Sequence, residues 1–322
     1  MRKLLIRSSL ILLGAVAATL AAEAAVRLRP AFAMQKAARE LWWIREGQST
    51  QSVLTTDPEL GFRPILGNEL YDENGTLKNQ SHAAHLASSE RLLFLGDSVT
   101  ARGKLVEALR LTMEGKGQDY AYFNAGVESY NTVQEAGFYT RYNRHVEPDH
   151  VILTFHYNDF ETTPIVFRDA EGRLTAHAPD RPLAEMSPWL FEHSHLYRVW
   201  LAKTGGSQAP EQRARIEHET AASLEHLRDA VRADGAQLSL LVYPPACPES
   251  QWTDAQKMAH RKALELAAEL GIRSFDLAKP LASALEQGIE TCETPSDVAH
   301  PSAPFAEHCA QWLVANGLFA GK

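Results

Sequence analysis

From Arg91 to the C-terminus, short β-forming runs alternate with stretches of helical periodicity, and this alternation limits the fold more than any other feature of the chain. The runs are Arg91–Leu95 (RLLFL), Tyr120–Phe123, Val151–Phe155 (VILTF), Leu238–Tyr243 (LSLLVY) and Ile272–Phe275. Several are apolar throughout rather than alternating, as expected of parallel strands covered by helices on both faces. Between them, Ile216, Leu224, Leu227 and Val231 share one helical face, and Ala259, Ala263, Leu266 and Leu270 share another. A last helix is expected from about Ser302 to Asn316. Repeated βα units of this kind predict an α/β domain with a parallel sheet.

The start of the chain is different material. Arg2, Lys3 and Arg7 precede an uncharged run from Leu10 to Ala22, followed by Glu23, Arg27 and Arg29. A basic start and a long apolar stretch make an export signal, with the positive end kept in the cytoplasm. Two outcomes stay open. Ala22-Glu23-Ala24 and Ala31-Phe32-Ala33 both fit a small-x-small cleavage site, which would release a secreted protein. Alternatively, Leu4 to Val26 spans a bilayer as a retained anchor, placing the rest of the chain in the periplasm or its equivalent.

The organisation that results is a signal segment over 1–30, a stalk and loop-rich lead-in over 31–88, and a main domain over 89–322. Residues 31–50 read as helix or stalk, and 51–88 as loop, with Asp57-Pro58, Gly61, Gly67 and Asn74-Gly75 as breakers. The stretch from about 160 to 208 is too long for a plain connection. It carries Trp189, Phe191, Tyr197 and Trp200, and is expected to be a helical insertion whose aromatics pack internally. No large exposed apolar helix is expected outside the anchor. A formal net charge of −8 over 322 residues excludes a global basic field for nucleic acid.

Four short motifs carry chemistry. Gly96-Asp97-Ser98 follows the first strand directly, where open α/β sheets bind ligands, although a serine-capped βα turn would look the same. Asn124-Ala125-Gly126 follows the second strand and Asn158-Asp159 the third. A glycine N–H and an asparagine amide are both competent donors to an oxyanion, and both are also common loop punctuation. Asp297-Val298-Ala299-His300 precedes the last helix. A carboxylate three residues before a histidine can reach Nδ1 and leave Nε2 to act as a base, or can simply cap a helix.

Taken in this order, the motifs resemble those of the SGNH (GDSL-type) hydrolases, in their membrane-anchored bacterial branch, over residues 91–319. The resemblance implies a flavodoxin-like α/β/α sandwich with a five-stranded parallel sheet in the order 2-1-3-4-5. It implies Ser98 as nucleophile, His300 as base and Asp297 as the carboxylate that orients it. Oxyanion donors would be the Ser98 N–H, the Gly126 N–H and the Asn158 side chain. The glycine usual two positions before that asparagine is His156 here, which narrows the space beside the oxyanion hole.

The expected activity is a serine esterase of the cell envelope that removes acyl groups, most simply acetyl, from a glycan or other carbohydrate ester, with no metal or organic cofactor. A glycan O-acyltransferase with the same three residues, and a non-catalytic glycan-binding protein, are the alternatives. His82-Ala-Ala-His85 lacks a third metal ligand and reads as solvated loop. Of Cys247, Cys292 and Cys309, the first two are expected to pair in an oxidising compartment, since both lie at the carboxyl edge of the sheet.

Overall fold

A computed structural model of the chain describes residues 2–28, 39–40, 53–82, 90–168, 174–177, 187–204 and 210–319. Its contacts divide into two units, of which one comprises residues 53–55, 63–163 and 216–322. The core of this unit is a five-stranded sheet of β1 (Glu90–Leu95), β2 (Tyr120–Asn124), β3 (His150–Phe155), β4 (Gln237–Val242) and β5 (Arg273–Asp276). Every pairing is parallel and the order is 2-1-3-4-5. The strands begin and end within about one residue of the apolar runs that foretold them.

Alternate residues of each strand feed two cores. Leu92, Phe94, Ile152 and Leu241 pack with α3 (Lys104–Glu114), α9 (Ala278–Glu286) and α10 (Ala303–Ala315) through Leu105, Leu109, Leu281, Phe305 and Leu313. Leu93, Leu95, Val151, Leu153, Leu240 and Val242 face the other way. They meet Ala136 and Tyr139 of α4 (Thr132–Arg141), Leu224, Leu227 and Val231 of α7 (Pro210–Ala233), and Ala263 and Leu266 of α8 (Asp254–Glu269). The fold is therefore a three-layer α/β/α sandwich. Burying both sheet faces removes the reason for polar alternation, which is why these strands are apolar throughout.

The edge of β2 is covered by the segment before β1. His82 pairs antiparallel with Tyr122, and the Leu77 N–H donates to the Asn124 carbonyl at 2.7 Å. Covering the edge satisfies its backbone groups and blocks pairing with other chains.

The second unit comprises residues 1–52, 56–62 and 164–215. It holds α1 (Arg2–Arg27), α5 (Pro188–His193) and α6 (His195–Thr204). It also holds three short antiparallel strands in the order Arg39–Glu40, Leu174–His177, Ile165–Arg168. Arg39–Glu40 is extended in the stretch expected to be helix or stalk, and the rest of 31–50 lies outside the described residues. Leu54–Asp57 and Gly61–Pro64 are also strands, in a stretch expected to be loop. Those two strands pair with each other across residues 58–60, whereas Arg39–Glu40 takes its extended form from Thr175 and Ala176, far along the chain. Two of the insertion's aromatics are not packed inside: Trp189 is 65% and Trp200 50% exposed.

Candidate active site

Ser98 is the first residue of α2 (Ser98–Ala101), a single turn that starts where β1 ends. Asp97 caps it, accepting the Val99 N–H at 2.9 Å. Gly96 makes this turn possible: its φ is +152°, and a Cβ there would stand 2.2 Å from the Thr100 Oγ1. As the first helical residue, Ser98 has a backbone N–H with no acceptor inside the helix.

The structure brings Asp297 and His300 to this serine across 202 residues of chain. His300 Nε2 lies 2.9 Å from Ser98 Oγ, and Nδ1 lies 2.8 Å from Asp297 Oδ2. Asp297 Oδ1 accepts the N–H groups of Ala299 and His300 at 3.2 Å each. Burial works against the Asp297 charge, but the His300 contact and these N–H groups hold its carboxyl below the usual range. An acceptor fixed on Nδ1 leaves Nε2 free to take a proton from the Ser98 hydroxyl, which becomes a nucleophile only when that proton leaves.

Arg102, at the end of α2, meets Glu293, Asp297 (3.6 Å) and Glu128 (3.9 Å). Lys104 reaches Glu293 at 2.9 Å and the Pro301 carbonyl at 3.1 Å. Two cations thus clamp the loop bearing Asp297 and His300 onto the helices that follow Ser98. Glu293, Asp297 and His300 lie close enough together to suggest a metal centre. Their charge is already balanced by Arg102 and Lys104, and the His300 nitrogens face Ser98 and Asp297. His82 stands 3.8 Å from Glu107, and His85 lies outside the described residues.

The expected oxyanion donors fare differently. Asn158 sits in the single turn Tyr157–Phe160 after β3, its Nδ2 3.4 Å from the Tyr130 carbonyl. Gly126 has another task. Its N–H donates to Asn124 Oδ1 at 2.9 Å, so the loop already uses that donor. A Cβ on Gly126 would come within 2.3 Å of the Ala101 nitrogen, so the glycine lets the loop lie directly against α2. Gly126 stays an expected donor whose N–H rests on Asn124, as the Asn158 Nδ2 rests near the Tyr130 carbonyl.

Beneath the site lies a buried polar layer that the motifs did not announce. Asp97, Glu135, His156 and Asp159 are all nearly inaccessible. Asp159 Oδ1 accepts from Thr132 Oγ1 at 2.8 Å, and Oδ2 from the His156 N–H at 2.6 Å. Asn131, which caps α4, donates to the Glu161 carbonyl at 2.9 Å. The loops after β2 and β3 are thereby joined, and Asn158 is held between them. Burial, with the charges of Asp159 and Asp97, pushes the Glu135 carboxyl well above the usual range. Burial and Asp97 push Asp159 up as well. Two carboxyls in one dry site disfavour each other's charge. The His156 ring faces Asp97, at 3.9 Å, and the Asn158 amide; burial pushes its pKa down, against the pull of Asp97. The sequence signal for this layer is the Asn131-Thr132-Val133-Gln134 capping box, which places Glu135 on the buried face of α4.

Cys247, Cys292 and Cys309 are all thiols, which corrects the expected Cys247–Cys292 bridge. Cys292 Sγ instead contacts the Ala246 carbonyl at 2.9 Å, next door to Cys247.

No known protein-family profile and no curated protein matches the chain. Solved structures similar to it include Axe2, an acetylxylan esterase from Geobacillus stearothermophilus (15% identity, TM-score 0.46, 71% of this chain and 95% of that one). Others are LAE5, an alpha/beta hydrolase enzyme from the metagenome of Lake Arreo, Spain (15%, 0.48, 73% and 98%), and a putative GDSL-like lipase from Parabacteroides merdae (16%, 0.47, 72% and 97%). At such identities, what those enzymes act on says nothing of this chain's substrate.

Proposed function

We propose that this protein is a serine esterase of the SGNH type, with Ser98 as nucleophile, His300 as base and Asp297 as the carboxylate that orients it. The observation that carries this reading is the unbroken chain from Ser98 Oγ through His300 to Asp297 at the carboxyl end of β1. In the reaction, His300 Nε2 takes the Ser98 proton as Oγ attacks the ester carbonyl. The oxyanion that forms is met by the Ser98 N–H, the Asn158 amide and the Gly126 N–H, which turns to it from Asn124. The imidazolium, paired with Asp297, then protonates the leaving alcohol, and the acyl-enzyme is cleaved when His300 activates a water.

For the substrate we propose an acylated glycan or other carbohydrate ester of the cell envelope, with acetyl the simplest acyl group. The support is the proposed location. The 19-residue stretch Ser9–Arg27 of α1 is long and apolar enough to cross a bilayer, and Arg2, Lys3 and Arg7 precede it. Read as a retained anchor, α1 leaves the C-terminal domain outside the cytoplasm, among polysaccharides. Retention is favoured by Glu23, which accepts the His195 and Leu196 N–H groups at 2.9 Å each and so caps α6. Cleavage after Ala24 would remove that cap.

The test is labelling with a fluorophosphonate, which should modify wild type and not Ser98→Ala, followed by a screen of acetylated glycans with and without an acceptor sugar. Acetate release would support the esterase. Acetyl appearing on the acceptor instead would make the enzyme a transferase, and no labelling would overturn the serine mechanism.

A further inference from the structure

The helix pair α5–α6 ends up in an unusual position for a soluble element. Among the described residues, twelve large hydrophobic side chains are exposed. Seven lie on α1 or directly after it: Leu10, Ile11, Leu12, Leu13, Val16, Leu20 and Leu28. Three more belong to α5–α6, namely Trp189 (65% exposed), Leu190 (38%) and Trp200 (50%); only Ile65 and Leu111 lie elsewhere. Exposed apolar surface is thus concentrated on the apolar helix and on the pair of helices attached to its end.

That attachment is specific. The Glu23 carboxylate accepts from Ser194 Oγ, the His195 N–H and the Leu196 N–H, each at 2.9 Å. Arg27 holds Glu23 at 2.8 Å and donates to the His193 carbonyl at 2.9 Å. Glu23 precedes Arg27 by one helical turn, so the first turn of α6 is pinned about 6 Å inside the polar end of α1. Trp189 stacks on His193 at 4.8 Å, beside the residue that Arg27 grips. Tyr197 stacks on Trp200 at 5.7 Å, and its hydroxyl accepts the Ser187 N–H at 3.1 Å, tying α6 back to the start of α5.

We propose that α5–α6 is a membrane-surface foot, lying at the lipid headgroup level where α1 leaves the bilayer, with Trp189, Leu190 and Trp200 set into the boundary between headgroups and acyl chains. This rests on the reading of α1 as a retained anchor. Interfacial helices sit about 5–10 Å into that boundary, which matches the depth at which Glu23 holds α6. Tryptophan favours the same zone, with its ring in hydrocarbon and its N–H in contact with water. A bilayer is preferred over a glycan as the occupant because the patch is fixed to the end of the apolar span itself. The consequence is a restrained anchor, with α1 and its foot moving as one piece.

The test uses the full-length protein in nanodiscs whose lipids carry brominated acyl chains, which quench tryptophan emission on contact. Wild type is compared with the double variant Trp189→Phe/Trp200→Phe, which keeps the apolar face; the other four tryptophans are common to both proteins. The foot predicts that the variant loses part of the bromolipid quenching, and that Glu23→Ala, which frees α6, loses it too. Equal quenching in wild type and double variant, with the protein still resisting carbonate extraction, would overturn the foot and leave the anchor standing. Extraction by carbonate would overturn the anchor itself. Equal quenching with a raised KM for a soluble acetylated oligosaccharide would replace the foot by a glycan platform.

Discussion

A single oxygen atom, Ser98 Oγ, is where the proposed chemistry begins, and its neighbours define what each substitution should do. Ser98→Ala removes the nucleophile while leaving Asp97 to cap α2, so hydrolysis of a small activated ester should fall by several orders of magnitude with the fold intact. Turnover near wild type, with an unchanged circular dichroism spectrum, would end the serine-esterase reading. Asn158→Ala and Asn158→Asp should lower kcat by about 10²–10³-fold with little change in KM, because an oxyanion donor acts in the transition state. A KM effect alone would make Asn158 a substrate contact. Gly126→Ala probes space rather than chemistry. Its Cβ would meet backbone atoms of Ala101 at 2.3 and 2.8 Å, and backbone cannot swing aside as a long side chain does. A loss of about 1–3 kcal/mol of stability, read from denaturant unfolding, is expected. Unchanged stability would show that the loop and α2 separate easily.

The elements around the site are tied together by buried charge. Burial and the nearby Asp97 push the carboxyls of Glu135 on α4 and Asp159 after β3 above their ordinary range, so the charged form of each is disfavoured. The folded protein therefore keeps a proton that the unfolded chain gives up above about pH 4.3, the ordinary glutamate value. A raised folded pKa means that the stabilisation is complete below that value and is lost as pH rises through the folded pKa. Glu135→Gln mimics the protonated form at every pH. Melting temperature should thus decline with rising pH less steeply in Glu135→Gln than in wild type, measured between about pH 5 and pH 8. Parallel curves would mean that Glu135 carries no such proton. This layer also shows where local pattern stops. The Asn131–Gln134 capping box is visible in four adjacent letters, but that the next residue faces Asp159, on the loop of another strand, depends on how β1 and β3 lie side by side.

At the scale of the whole chain, the proposal that α1 is a retained anchor makes the charge asymmetry about it the determinant of topology. Arg2, Lys3 and Arg7 lie on one side of the apolar run, while Glu23 partly offsets Arg27 and Arg29 on the other. The more positive end stays in the cytoplasm, so residues 31–322 should lie wholly outside it. A reporter that folds only after export, fused after Lys322, should be active, and carbonate should leave the protein in the membrane. An inactive reporter would refute the topology, and a mature chain beginning near Ala25 or Met34 would show a cleaved signal.

Periodicity and turn chemistry are properties of neighbouring residues, and the sequence alone determined what depends on them. Apolar runs and helical faces predicted five parallel strands within about one residue of their ends, and the strand order implied by the resemblance is the order observed. Glycine and serine at the end of the first run marked the β1–α2 turn, and the Asp297–His300 spacing marked a local pair. Tertiary structure alone decided what depends on residues far apart in the chain. It closed the gap between Ser98 and His300, rested the Gly126 N–H on Asn124, and kept Cys247 and Cys292 as thiols. It set the Arg102 clamp on Glu293 and Asp297, and the Glu23 cap on α6. The physical reason is that a hydrogen bond or a buried charge takes its energy from which atoms surround it, and those neighbours are chosen only when the sheet and its helices have packed.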